Sequence, residues 1–132
     1  MILVDTSAWV EFLRNSGSAV CDRVDDLLED EIAICDVVRM ELLAGARDEH
    51  HLQSIRRLLA RATLVPTVRA DYENAAMLYR QCRNRGETVR KLVDCLIAAV
   101  AIRSEVAILH GDRDFDVLAK HTELEIVPAE IK

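Results

Sequence analysis

Two short apolar runs in this chain each hand the backbone on to an acid. The first is Ile2-Leu3-Val4 followed by Asp5, and the second is Val106-Ala107-Ile108-Leu109 followed by His110-Gly111-Asp112. Runs this short do not make helices, and they lack the alternating polar positions of a strand with one wet face. They read as strands buried on both sides, the pattern of a parallel sheet. Parallel strands cannot be joined by a tight turn, so each needs a crossover, usually helical, and the chain is constrained to an α/β architecture. Parallel strands also deliver their carboxyl ends to one edge of the sheet, where open α/β folds place their sites. Asp5 and Asp112 are therefore expected on the same edge.

The remaining elements follow from the same reading. Further strands are expected at residues 31–36, 63–66 and 125–128, giving a central, mostly parallel five-stranded sheet. Helices are expected at residues 7–14, 20–28, 37–44 and 70–85, from Asp48 through Leu59, and at residues 89–103 and 114–120. Gly45 and Gly86 stand where left-handed caps would close two of them. The segment from Val89 to Arg103 is apolar on nearly every side, and a helix of that kind belongs in the interior. Helices on both faces of the sheet make a three-layer α/β/α sandwich. At 132 residues the chain is expected to form one domain with a proper core.

Composition narrows the class. The longest apolar run is too short to span a bilayer, and the opening strand has no basic leader before it, so a cytoplasmic protein without signal peptide or membrane segment is expected. Cys21, Cys35, Cys82 and Cys95 are widely spaced, which fits small core residues and neither zinc nor disulfides. His50 and His51 are read as part of a polar turn. The net charge of −6 argues against a polyanion partner only on average, because the charge is uneven. Residues 22–31 are strongly acidic, whereas Arg80, Arg83, Arg85, Arg90 and Lys91 crowd one short segment.

The acids carry the chemistry. Asp5 has an ordinary alternative as a helix cap, a role in which Asp is common, with Thr6 or Ser7 as the other cap candidates. Asp94 lies early in the apolar helix, an expensive place for a carboxylate unless a backbone amide, an arginine or a cation attends it. Glu41 sits between apolar neighbours, where a solvated helix position is the plain alternative. Asp114 and Asp116 follow Asp112 closely, as outer members of a cluster or as caps, and Asp36 is read as a cap. Several carboxylates in one pocket repel unless protons or a cation intervene. An oxygen-only donor set favours Mg²⁺ or Mn²⁺ over zinc, and such ions suit phosphoryl chemistry.

Taken in order, Ile2-Leu3-Val4-Asp5-Thr6-Ser7-Ala8-Trp9, Glu41-Leu42-Leu43-Ala44-Gly45, Val93-Asp94-Cys95-Leu96-Ile97-Ala98-Ala99 and Gly111-Asp112-Arg113-Asp114-Phe115 resemble the PIN domain. Within it they look most like the VapC-type toxins of toxin–antitoxin pairs. The resemblance implies that Asp5, Glu41, Asp94 and Asp112 form an acidic quartet binding Mg²⁺ or Mn²⁺, with Asp5, Asp94 and Asp112 as metal ligands. Thr6 or Ser7 matches the hydroxyl that supports the first acid, and Asp114 competes with Asp112 for the fourth place. It further implies an endoribonuclease acting on RNA such as tRNA, a homodimer, and a small antitoxin that occupies the active-site groove.

Two other readings compete. A haloacid-dehalogenase-like phosphotransferase also begins with a strand and an Asp, but typically places a second Asp two residues on, where this chain has Ser7. A non-catalytic RNA-binding module would need stacking aromatics, and Trp9, Phe12, Tyr72, Tyr79 and Phe115 are too sparse. For the nuclease reading, Arg83, Arg85 and Arg90 are the expected phosphate-binding rim, set against the alternative of a solvated charge run or ion pairs with the acidic residues 22–31 of the same or a partner subunit.

Overall fold

The computed structural model describes residues 1–128. The elements are β1 (Ile2–Val4), α1 (Thr6–Leu13), α2 (Ala19–Leu27), β2 (Ile32–Cys35), α3 (Asp36–Ala44), α4 (Glu49–Leu59), β3 (Thr63–Val65), α5 (Arg69–Asn84), α6 (Leu92–Arg103), β4 (Ala107–Leu109) and α7 (Arg113–His121). The strands form one sheet in the order β3-β2-β1-β4, and every pairing is parallel. Ile2 pairs with both Ile32 and Ala107, so β1 lies inside the sheet between β2 and β4. All four residues of β2 are buried. Successive strand residues face opposite sides, so both faces of the sheet are covered there.

The sheet has four strands where five were expected. Residues 125–128 do run beside β4: the Ile108 N–H donates to the Glu125 carbonyl at 3.0 Å, and the Val127 N–H donates to the Ile108 carbonyl at 2.8 Å. Among the described residues only one bridge results, Ile108 to Ile126.

Helix α6 is the central packing element. Every residue from Asp94 to Ala101 is buried, and α6 packs against α5, α7, α3 and β4. Ile97 and Val100 are fully enclosed, each worth about 2 kcal/mol of apolar burial. The helix starts at Leu92 rather than Val89. Val89 is buried, and Lys91, the N-cap, has extended backbone, φ −118° and ψ 115°. Residues 89–91 thus form a non-helical lead-in to α6, with a bend at Arg90 and extended backbone at Lys91.

Helix ends account for the other departures. Gly86 has φ +88°, and its N–H donates to the Arg83 carbonyl while that of Glu87 donates to the Cys82 carbonyl, the Schellman closure expected of it. Glu105 closes α6 in the same way with φ 55°, a conformation that strains a residue bearing a Cβ. Gly45, expected in the left-handed region, has φ −82° and ends α3 in right-handed geometry. Asp36 is the first residue of α3, not its cap, and its carboxylate accepts from the Thr67 N–H at 2.9 Å. His50 and His51 lie in α4, whose N-cap is Asp48 as anticipated. All four cysteines are free and buried. Among the described residues no helix is long and apolar enough to cross a membrane.

A buried ion pair fixes the start of α5. Asp71 is fully enclosed, accepts from the Val68 N–H at 2.8 Å, and receives Arg103 Nε at 2.9 Å and Nη2 at 3.1 Å. Arg103 Nη2 also donates to the Pro66 carbonyl at 2.7 Å. This clamp joins the end of α6 to the turn before α5, away from the acids described next.

Candidate active site

Parallel pairing brings the ends of β1 and β4 together. The Asp5 N–H donates to the Leu109 carbonyl at 3.0 Å, which continues the ladder to the point where the acids begin. Asp5 is the N-cap of α1 and is 3% exposed. Its Oδ2 accepts from the Ser7 N–H at 3.0 Å and from Ser7 Oγ at 2.6 Å, whereas its Oδ1 is buried without a partner. The cap role read for Asp5 is thus filled by Oδ2 alone, and Oδ1 is left free of it. Ser7 Oγ also accepts from the Gly111 N–H at 2.9 Å, tying the loop after β1 to the loop after β4. Ser7, not Thr6, is thus the hydroxyl that supports Asp5. Thr6 donates instead to Glu41 Oε1 at 2.8 Å, anchoring the half-buried carboxylate that α3 projects toward Asp5.

Asp94 enters from the first turn of α6, 4% exposed, with Oδ2 buried and unpartnered. Asp112 is the N-cap of α7, its Oδ1 accepting from the Asp114 N–H at 2.9 Å. Asp114 is almost wholly buried and its Oδ2 has no partner. One oxygen from each of Asp94, Asp112 and Asp114 lies within 4.8 Å of the others. Asp5 stands outside that tight group but close enough for its charge to act on Asp94. Asp116 is exposed and meets His110 Nε2 at 3.3 Å.

Electrostatics separate the acids. Burial pushes the Asp94 carboxyl up to about 7, and the negative charge of Asp5 pushes the same way. Burial also raises Asp5, partly offset by its Ser7 hydrogen bonds, with Glu41 adding to the rise. Burial raises Asp112 too, but the Asp114 N–H, Lys91 and Arg90 outweigh it and hold that carboxyl below its ordinary value. Three buried carboxylate oxygens without hydrogen-bond partners, on Asp5, Asp94 and Asp114, are costly alone and are what a hard cation would satisfy. The donors are all oxygen, so the residues present fit Mg²⁺ or Mn²⁺.

The basic segment divides. Arg83, exposed at the end of α5, lies over the Tyr79 ring at 5.7 Å, and Arg85 is the exposed C-cap of that helix. Arg90 turns inward: Nη2 meets Asp112 Oδ1 at 3.0 Å and Nε meets Asp114 Oδ1 at 3.1 Å. Lys91 joins it, with Nζ at 2.8 Å from Asp112 Oδ2 and 4.0 Å from Asp94 Oδ2. Sequence reasoning grouped these cations by proximity in the chain and missed the approach of the last two to the acids. The three-residue spacing from Lys91 to Asp94 was the one local signal, and nothing in the sequence nearby pointed to Asp112 and Asp114, the partners they meet most closely.

The chain matches the PIN domain family model over residues 2–121. It belongs to the PIN-domain family. This PIN domain is 46% identical over 129 residues to Ribonuclease VapC11 of Mycobacterium tuberculosis, a match covering 95% of this chain and 96% of that protein. It is 31% identical over 121 residues to Ribonuclease VapC51 of the same organism, covering 91% and 86%. In structure it is similar to a chain of VapBC2 from Rickettsia felis bound to a promoter DNA fragment, with TM-score 0.76, 20% identity, and coverage of 96% and 98%. Beside the PIN acids runs a groove of about 540 Å³ between α1, α3 and α4. Val10, Leu13, Leu42 and Ile55 line it, Arg14 and Arg47 flank them, and Thr6 and Glu41 connect it to the acids.

Proposed function

We propose that this PIN-domain protein is a metal-dependent endoribonuclease, the toxin of a toxin–antitoxin pair, acting in the cytoplasm on RNA phosphodiester bonds. The observation that carries the reading is the set of buried oxygens without hydrogen-bond partners on Asp94 and Asp114, clustered with Asp112, and on Asp5 close enough to act on Asp94. Asp94, Asp112 and Asp114 would hold Mg²⁺ or Mn²⁺, with Asp5 as a further ligand. Bound there, the ion would activate water and offset charge gathering on the phosphate. Ser7 keeps Asp5 in register with the loop after β4 through its two-sided hydrogen bond. Glu41, anchored at Oε1 by Thr6, would accept a proton from the attacking water through its Oε2. Arg83 and Arg85 would meet phosphates flanking the cleaved one. The ribonuclease names of the sequence relatives support the substrate class.

The groove lined by Val10, Leu13, Leu42 and Ile55 suits the antitoxin, since an apolar segment seated there would lie against Glu41 and bar the acids from RNA. A homodimer fits the apolar surface that Tyr72, Ala76 and Leu92 expose where α5 meets α6. The central test is RNA cleavage by the purified protein with Mg²⁺ or Mn²⁺ and after chelation. Cleavage should require the ion and fall by at least about 100-fold in Asp5→Asn, a loss of the size expected when transition-state electrostatics are removed. Replacing Arg83 and Arg85 with Ala should weaken RNA binding and lower its dependence on log salt by about one for each phosphate no longer neutralised. Undiminished cleavage in chelator would reject the metal reading.

A further inference from the structure

Asp112 differs from the other acids in having no oxygen to spare. Its Oδ1 takes the Asp114 N–H and Arg90 Nη2, and its Oδ2 takes Lys91 Nζ. Asp94 and Asp114 each keep a buried oxygen without a hydrogen-bond partner. Lys91 Nζ sits between Asp112 and Asp94, at 2.8 and 4.0 Å from their Oδ2 atoms. A small dication joining these acids needs carboxylate oxygens at about 2.1 Å, so it would take the wedge that the ammonium fills. The two positive charges would also repel across a low-dielectric pocket. One site cannot hold both.

The lead-in to α6 is built to release the cations without unfolding. Val89 is 1% exposed and anchors the segment, and α6 behind Leu92 is rigidly enclosed. The side chains of Arg90 and Lys91 are each 57% exposed, so they swing outward into water rather than through packed core. An arginine and a lysine displaced from carboxylates at the mouth of this site are then free to take phosphate oxygens.

We propose that Arg90 and Lys91 are an intramolecular counter-cation that occupies the acids in the metal-free protein and exchanges Asp112 for RNA phosphate when the divalent ion enters. This rests on the metal-dependent nuclease reading and adds to it an order of events. Metal-free protein pairs Asp112 with its own cations and so withholds them from RNA; loading the ion arms the site with the two cations that grip the substrate.

The test uses Lys91→Met, which keeps the aliphatic stem and removes the charge, and Arg113→Met as a control. Arg113 stands between Asp112 and Asp114 in the chain but forms no ion pair with the described acids. Mn²⁺ binding is measured by titration calorimetry on the chelator-stripped full chain. Lys91→Met should bind Mn²⁺ about tenfold tighter than the native chain, the factor corresponding to ~1.4 kcal/mol of relieved competition. Arg113→Met should change affinity by less than about threefold, as expected when only a screened, exposed charge is removed. Thermal unfolding gives a second readout: Lys91→Met should melt below the native chain in chelator and equal to it in saturating Mn²⁺. Affinity for a non-cleavable 2′-O-methyl oligonucleotide should rise on adding Mn²⁺ for the native chain and rise less for Lys91→Met. Unchanged or weaker Mn²⁺ binding in Lys91→Met, or a melting deficit that persists in Mn²⁺, would overturn the exchange and make the pair a fixed structural bridge. If the native chain binds no Mn²⁺ at all, it is the metal reading of the site that fails.

Discussion

Asp94→Asn should stabilise the metal-free protein while abolishing its activity. In the folded chain the Asp94 carboxyl titrates at about 7, against an ordinary value of 3.8, because burial and then the charge of Asp5 oppose its ionisation. The unfolded chain therefore releases this proton first as pH rises. Between roughly pH 4 and pH 7 the folded state binds more protons, so stability attributable to Asp94 is fully present below the lower value and is lost as pH climbs through the upper one. The gap of about three pH units corresponds to on the order of 4 kcal/mol lost by pH 8. Relaxation and water entry reduce that figure, and about 2 kcal/mol is a fair expectation. Asparagine keeps the shape and cannot ionise, so the variant should escape the loss. For a chain of this length 2 kcal/mol amounts to roughly 6–10 °C in melting temperature. The assay is calorimetric unfolding of both proteins in chelator at pH values just below 3.8, midway, and above 7. The curves should nearly coincide at the lowest pH and separate progressively, with Asp94→Asn higher above the upper value, while Mg²⁺ raises only the native protein. A variant less stable than the native chain at pH 8 in chelator would refute the reasoning.

Other substitutions probe the frame around the acids. Ser7→Ala removes the hydroxyl joining Asp5 to Gly111 and should cost about 1–2 kcal/mol in denaturant melts, with a cleavage defect beyond that explained by unfolding. Arg103→Leu leaves the enclosed Asp71 without its cation and should cost about 3 kcal/mol, read from the urea midpoint, without altering metal affinity. Glu105→Gly relieves the φ 55° strain at the end of α6 and separates like charges near Glu123 and Glu125, so the melting midpoint should rise by the equivalent of about 1 kcal/mol.

The frame was legible where one physical rule acted alone. Apolar runs ending at Asp5 and Leu109 could only be buried parallel strands, and their adjacency followed from direction. Asp94 stood out because a carboxylate in an otherwise apolar helix demands an explanation, and Gly86 because its helix ended where a left-handed residue was needed. Reading failed where two options were locally equal. Asp36 had the composition of a cap, yet Cys35 takes that position and frees Asp36 to reach the Thr67 N–H across the sheet. Residues 125–128 had the composition of a strand, but among the described residues they make a single bridge, too little pairing to add a fifth strand. Arg90 and Lys91 were misplaced because helical and non-helical backbone at residues 89–91 point the same side chains in different directions. Only long-range packing of Val89 settles which is adopted.

The hydrogen bond from Gly111 to Ser7 crosses 104 positions of sequence. Its consequence lies in the timing of folding. Closing so large a loop is entropically slow and is rewarded only once β4 docks against β1. The strands β1, β2 and β3 and their helices can assemble earlier, from nearer neighbours, but they bring only Asp5 and Glu41 to the edge. Asp94, Asp112 and Asp114 arrive together, with the last pairing of the sheet. Completion of the fold and completion of the acid cluster are thus the same event, and a chain without β4 in place gathers two of the five carboxylates at that edge.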